Sequence, residues 1–416
     1  MTEQRGFKKL VRERMARTGE SYTTARRHVM AKSARAELAL PDGLVYAEFG
    51  TDQHHEASLI RHALGSGHDE ALIAGLAGGI GFMYFVFEYK DLPPLLTIVA
   101  QHHPEPWVQT ALDRLHVPYE VQHSGKPQWT RLRTALDDGR PVFCAVDKSR
   151  LPWHGMESGY GSDPYTVVVA GYDGDALYVD DESARPHRIG ADEFGAAWSA
   201  YKKGRHQMIV PTGPATGDPD VEGAIAATVE HLTGPVLGNN FDVNFGFSGM
   251  AKLAAQLRDT RTKTGWERRF GAPVPFFHGV RRLYECLEVE YTAPNGTRPL
   301  YADFLDLAGR SEAAALFRES AKGWERLAAL ALDTVSGLGA YTELCEERLR
   351  LIMSRGDQAR GEIRALGDRA DALAQEYGAP DADQRRQLFD ELAGIVDANA
   401  AFEREAVTRL GRAARV

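Results

Sequence analysis

Cysteine is scarce in this chain. Cys144, Cys286 and Cys345 are scattered through 416 residues and no CxxC pair occurs. That excludes a disulfide scaffold, a zinc ribbon and a thioredoxin-like redox motif, and it suits a reducing cytoplasm. No apolar stretch follows the basic N-terminus, so no secretory leader is expected. Long apolar runs are also missing. The uncharged stretch ALIAGLAGGIGFMYFVF at residues 71–87 sits at the lower limit of about 17 residues for a membrane span and is glycine-rich at its start. It reads as a buried loop followed by a strand, with no membrane role. There is no internal repeat, no GxGxxG, no GxxxxGK[ST] and no HExxH.

What is present is an ordinary globular composition, 43% hydrophobic and 26% charged, which excludes wholesale disorder. The length allows two or three domains of roughly 100–200 residues. Charge is unevenly placed. Residues 1–35 hold ten Lys or Arg against three Glu, a balance of +7, so the remainder carries −16 of the formal −9. Eight of the 14 histidines lie between His54 and His123.

Residues 1–36 read as a basic helical arm of two short helices, with Phe7, Leu10, Val11 and Met15 at helical spacing. Its charge suits docking on the acidic body. A nucleic-acid role is not expected, because no aromatic or Asn/Gln base-reading set accompanies the basic residues. Residues 44–210 mix short strands and helices. LVYAEFG, PPLLTIVAQ, RPVFCAVD, YTVVVAGYD and ALYVDD have strand composition, HEASLIRHAL is a helix, and Asp173-Gly174 marks a hairpin turn between the last two strands. Residues 211–223, rich in Pro, Gly and Asp, form the expected linker. Residues 224–416 are mainly helical. Ala313, Phe317, Ala321, Trp324, Ala328 and Ala331 form one apolar helix face. Leu388, Leu392, Ile395, Phe402, Ala406 and Leu410 form another, with Asn399 as its polar member. Gly378-Ala379-Pro380 separates the last two helices, which predicts an antiparallel hairpin. The fold class is therefore α+β.

Three constellations could carry chemistry. His54, His55 and Glu56 open a helix, where unpaired N–H groups and the helix dipole favour an anion; the same residues can equally be capping and surface groups. Tyr165 starts the central hairpin strand and Asp180-Asp181 ends its partner, which brings them to one end of the sheet; Tyr165 can equally be a core ring with a satisfied hydroxyl. The glycines of ALIAGLAGGIGF permit a tight buried turn. Cys144, between Phe143 and Ala145 in a strand, reads as a small core residue. Adjacent helical residues point about 100° apart, so His54, His55 and Glu56, even with His102 and His103, make a poor metal set; no metal and no cofactor is expected.

The order of these segments resembles a known family. His-His-Glu opening a helix, then GLAGGIGFMYFVFEY, DDGRPVFCAVDKSRLPW and YTVVVAGYDGDALYVDD over about residues 45–210 look like the N-terminal domain of the butirosin-biosynthesis protein H family. NFGFSGMAKLAAQLRDTRTKTGWERRF followed by RPLYADFLDLA resembles the helical domain that often follows it. The resemblance implies a papain-like cysteine-peptidase-type domain followed by a mainly helical one. It implies transfer of an acyl group from a carrier-protein thioester to an amine, by a Cys at a helix N-terminus, a His at the start of a strand and an orienting Asp. On that match His55 stands at the nucleophile position, Tyr165 at the base position, and Asp180 or Asp181 at the acid position. Gln53 is spaced too closely to be the oxyanion glutamine.

Three accounts stay open. An acyltransferase without a cysteine could use His55 or Glu56 as base, Tyr165 as hydrogen-bond donor and Asp180 as acid, with His54, Asp147 and Asp181 binding substrate. A non-catalytic descendant could bind a carrier protein or metabolite. A metal enzyme could use the His/Glu cluster. The expected partners are an acyl carrier protein and a small-molecule amine or alcohol acceptor, with no membrane and no nucleic acid. The apolar faces of the C-terminal helices leave a homodimer open.

Overall fold

The computed structural model describes residues 10–12, 14, 25, 29, 40–65, 67–90, 92–104, 106–155, 164–333 and 336–413; the basic arm expected at 1–36 lies almost wholly outside them. In chain order the first part contains α1 (His55–Leu64), α2 (Glu70–Leu76), β1 (Ile80–Phe87), β2 (Leu95–Gln101), α3 (Trp107–Arg114), β3 (Tyr119–Gln122), α4 (Trp129–Asp137), β4 (Val142–Asp147), β5 (Pro164–Asp173), β6 (Ala176–Asp180), β7 (His187–Gly190), α5 (Ala191–Ala200) and β8 (Met208–Pro211). The rest is helical: α6 (Val221–Thr233), α7 (Gly246–Arg258), α8 (Trp266–Phe270), α9 (Pro273–Glu288), α10 (Arg298–Leu307), α11 (Ser311–Asp333), α12 (Ser336–Arg355), α13 (Arg360–Glu376) and α14 (Ala382–Ala413). The chain is α+β, and among the described residues no helix is long and apolar enough to cross a membrane.

Two compact units form, and neither is a continuous block of sequence. One comprises Met1–Ile73, Leu115–Asp218 and Leu344–Ala370; the other comprises Ala74–Arg114, Pro219–Glu343 and Asp371–Val416. Residues 44–210 thus contribute to both, and the chain passes between units inside the 211–223 stretch.

The first unit is built on an antiparallel sheet of order β3-β8-β4-β5-β6-β7. Side chains alternate across a pleated strand, so Val142, Cys144 and Val146 of β4, Val167 and Val169 of β5, Leu177 and Val179 of β6 and Met208 and Val210 of β8 share one face. There they pack with Leu132 and Leu136 of α4 and Phe194 and Trp198 of α5. The β5–β6 hairpin turns at Asp173-Gly174, with Asp173 opposite Ala176. Helix α1 packs against β5. LVYAEFG, expected as a strand, is irregular. Its polar groups are used singly: Val45 N–H donates to the Ala170 carbonyl, and Tyr46 OH and Gly50 N–H donate to Asp180.

The second unit carries the β1–β2 hairpin and a helical core. The start of the 71–87 run is helix α2, where a loop was expected, because Asp69 Oδ1 accepts from Ala71 N–H at 2.8 Å and caps the turn. The following glycines admit rings: a Cβ on Gly78 would strike His102, one on Gly79 would strike Tyr301, and one on Gly81 would strike His231. Helix α14 packs chiefly on α11 and α7, so the expected hairpin of the last two helices is not its main contact. The apolar pattern placed Phe402 on its buried face, yet Phe402 is 39% exposed and Glu403 is fully buried. The reason is Arg298. Its Nε and Nη2 donate to the two Glu403 oxygens at 2.9 and 3.0 Å, while Ser320 Oγ and Trp324 Nε1 donate to Oε1 at 2.6 and 3.0 Å. A fully satisfied buried pair forms, and half of it cannot be removed cheaply. Glu403→Leu is expected to cost about 3–5 kcal/mol in urea unfolding, and the double change with Arg298→Met far less than that; equal losses in the two variants would contradict this reading.

Candidate functional site

The start of α1 is held by a buried set of acceptors. His54 is the N-cap, with extended backbone, and its Nδ1 accepts from Ala57 N–H at 3.4 Å. The N–H groups of Gln53 and His54 both donate to Glu70 Oε1, at 2.9 and 2.8 Å, and Ser58 Oγ donates to the same oxygen. These contacts spend His54 on the helix start and fix the direction in which the next residue, His55, projects. The His55 ring stacks flat on Tyr165, with centroids 4.6 Å apart and planes 11° apart. Its Nε2 lies 2.8 Å from the Thr166 carbonyl. A carbonyl only accepts, so Nε2 carries the hydrogen and Nδ1 is the lone-pair nitrogen of the neutral ring. Nδ1 lies 3.3 Å from Thr51 Oγ1 and 3.7 Å from Asp181 Oδ1. The side chain is 18% exposed, enough for a substrate atom to reach one edge. Glu56 Oε1 accepts from Thr166 Oγ1 at 3.0 Å, a second tie between α1 and the start of β5.

Asp181 is the hub of this cluster. It is fully buried, and its Oδ2 accepts from Trp153 Nε1 at 2.7 Å and His154 Nε2 at 2.8 Å while its Oδ1 accepts from Tyr165 OH at 2.6 Å. Burial alone would raise its carboxyl, but the donors around it, His154 foremost, hold it well below the usual range. Glu182 is likewise pushed up by burial and pulled back to about 2, chiefly by Lys148, whose Nζ lies 3.4 Å from Oε1 and over the Tyr165 ring at 4.3 Å. Burial pushes the His154 imidazole down, against the pull of Asp181, which favours its protonated form. Burial also drives His187 down, to about 3; its ring lies flat on Trp153 at 4.0 Å and its Nε2 has no hydrogen-bond partner among the described residues.

The structure therefore brings His55, Glu56, Tyr165 and Asp181 together, and leaves two expected residues apart. Asp180 follows the pleat to the opposite face, where it accepts from Gly50 N–H, Tyr46 OH and His62 Nδ1 at 2.9, 3.0 and 2.9 Å. Asp147 caps a short 3₁₀ turn and accepts from the N–H and Oγ of Ser149. Tyr165 directs its hydroxyl hydrogen to Asp181, so it walls and orients His55. Thr51, Lys148, Trp153, His154, Glu182 and His187 were not singled out from the sequence. The one available signal was a Trp-His pair in a proline-containing loop directly after a strand. Cys144 is buried in the core of the sheet and burial raises its thiol. His102 and His103 belong to the other unit, and among the described residues no group of three metal-ligating side chains forms.

A buried neutral histidine makes stability depend on pH with a definite sign. The folded value of His187 is lowered to about 3 against about 6.5 unfolded. The unfolded chain takes up the proton first, and stability falls as pH drops from about 6.5 toward 3. His187→Phe keeps the stack on Trp153 and removes the titration. Urea unfolding is expected to show the unsubstituted protein losing about 2 kcal/mol more than the variant between pH 7 and pH 5; parallel losses would contradict it.

No curated protein sequence matches the chain. A family model described as butirosin biosynthesis protein H, N-terminal, matches residues 53–182, the stretch that runs from the start of α1 through Tyr165 to Asp181 and Glu182. Over those residues, which supply most of the cluster, the chain is similar to the butirosin biosynthesis protein H N-terminal family.

Proposed function

We propose that the protein is an acyltransferase-type enzyme of biosynthesis that moves an acyl group from a carrier-protein or other thioester to an amine or alcohol, without a cysteine nucleophile. The observation that carries this reading is the state of His55. Its Nε2–H is committed to the Thr166 carbonyl, so Nδ1 is the nitrogen able to take a proton, on a partly exposed side chain beside a buried carboxylate. An acyl thioester is already activated, and the missing element is a base that deprotonates the attacking group. When Nδ1 takes that proton it becomes a cation 3.7 Å from Asp181 Oδ1, whose charge stabilises it. Tyr165 and Trp153 hold Asp181 in place, and Lys148 over Tyr165 keeps the wall of the cluster fixed. The family match over residues 53–182 supports the reaction class.

The test is amide and ester formation from a panel of acyl N-acetylcysteamine thioesters and small amines or alcohols, followed by mass spectrometry. The unsubstituted protein is expected to form product, and His55→Ala to lose about 100-fold or more, the contribution of a general base. Product formation that is indifferent to His55 would overturn its role as base, and no product from any pair would overturn the proposal and leave a binding role.

A further inference from the structure

Among the described residues, Thr51 is the side chain whose hydroxyl lies on the proton-accepting nitrogen of His55. Because Nε2–H is tied to the Thr166 carbonyl, the hydrogen in the 3.3 Å contact between Thr51 Oγ1 and His55 Nδ1 comes from Thr51. The helix does not need this hydroxyl, since the N-cap is His54. Nor is its position a loop accident, for the backbone on both sides is fixed. Gly50 N–H donates to Asp180 Oδ1 at 2.9 Å, and Asp52 N–H donates to Ser58 Oγ at 3.0 Å. Gly50 has φ of +93°, and a Cβ there would lie 2.9 Å from Ala184 N, so only glycine fits this bend. Asp180 in turn is braced by Tyr46 and His62. Arg61 adds a further brace from α1, donating to Glu48 and Asp52. Thr51 itself is partly exposed. A hydroxyl on a base, held rigidly at an accessible edge, is the arrangement of an activated oxygen nucleophile.

Resting on the acyl transfer proposed above, we infer that Thr51 is its nucleophile and carries the acyl group as an ester between the two half-reactions. In the first, Thr51 Oγ attacks the thioester carbonyl carbon and its proton passes to His55 Nδ1. The C–S bond breaks, and the leaving sulfur takes that proton and departs as a thiol. In the second, the acceptor amine attacks the Thr51 ester carbonyl and its proton passes to His55 Nδ1. The C–O bond to Thr51 breaks, and Thr51 Oγ recovers the proton. No oxidant, metal or further reactant enters. Asp181 faces the imidazolium in both steps.

The experiment exposes the full chain to acetyl N-acetylcysteamine thioester without acceptor, quenches in acid, and measures intact mass and the acetylated peptide. One acetyl group on Thr51 is expected. Thr51→Ser is expected to keep the label and Thr51→Val to lose it, while Thr51→Val melts at the same temperature as the unsubstituted protein. Addition of an amine should discharge the label as amide. Amide formation with no label on Thr51, and with Thr51→Val as fast as the unsubstituted protein, would overturn this inference and leave His55 as a base acting directly on the amine. A label on Thr51 that no acceptor discharges would uphold Thr51 as the acyl-bearing group and overturn the transfer reading. Absence of both label and amide would overturn both.

Discussion

The Asp181 carboxylate is buried and ionised, and the arrangement around it follows from that constraint. A charge taken out of water must be surrounded by donors or it neutralises. Trp153 and His154 supply two and Tyr165 supplies a third, at 2.6–2.8 Å. These donors come from the loop after β4 and from the start of β5, so satisfying one side chain fixes two otherwise separate backbone segments. The Tyr165 ring, once fixed, is the plane on which His55 stacks. The cost of the buried charge is thereby converted into the orientation of the partly exposed His55 imidazole.

A second carboxylate does the complementary work one residue earlier. Asp180 points to the other face of the sheet and holds Tyr46, Gly50 and His62, which is how an irregular segment outside the strand ladder is tied down beside α1. Adjacent acidic residues at a strand end thus serve opposite faces, one for the cluster and one for the loop that borders it. The similarity of residues 53–182 to the butirosin biosynthesis protein H N-terminal family is compatible with different chemistry at the same places, because function lies in the side chains of a site and not in the fold that carries them.

Much of this was legible in the sequence. HEASLIRHAL is helical over the residues its apolar spacing predicts, and Asp173-Gly174 turns the hairpin that brings Tyr165 to the end of the sheet where Asp181 lies. The choice between Asp180 and Asp181 was not legible, since both carboxylates reach α1, Asp180 at His62 and Asp181 beside His55, and only the placed ring of Tyr165 tells them apart. The partners Trp153 and His154 were hidden because loop contacts have no period. Glu403 was hidden for a related reason: an apolar pattern favours Phe402, and only the partner Arg298, more than a hundred residues away, makes a buried glutamate stable. LVYAEFG has strand composition, but apart from Val45 N–H on the Ala170 carbonyl its bonds from Tyr46 and Gly50 go to the Asp180 side chain, which no local propensity records.

The central claim is that the His55 ring keeps its hydrogen on Nε2 and presents Nδ1 to Thr51 and Asp181. Nitrogen NMR of the histidine-labelled protein tests it directly, with the His55 signals assigned by their loss in His55→Ala. The account predicts an Nε2–H tautomer whose Nδ1 shift moves when Thr51 is changed to Val. An Nδ1–H tautomer, or an Nδ1 that does not sense Thr51, would contradict it.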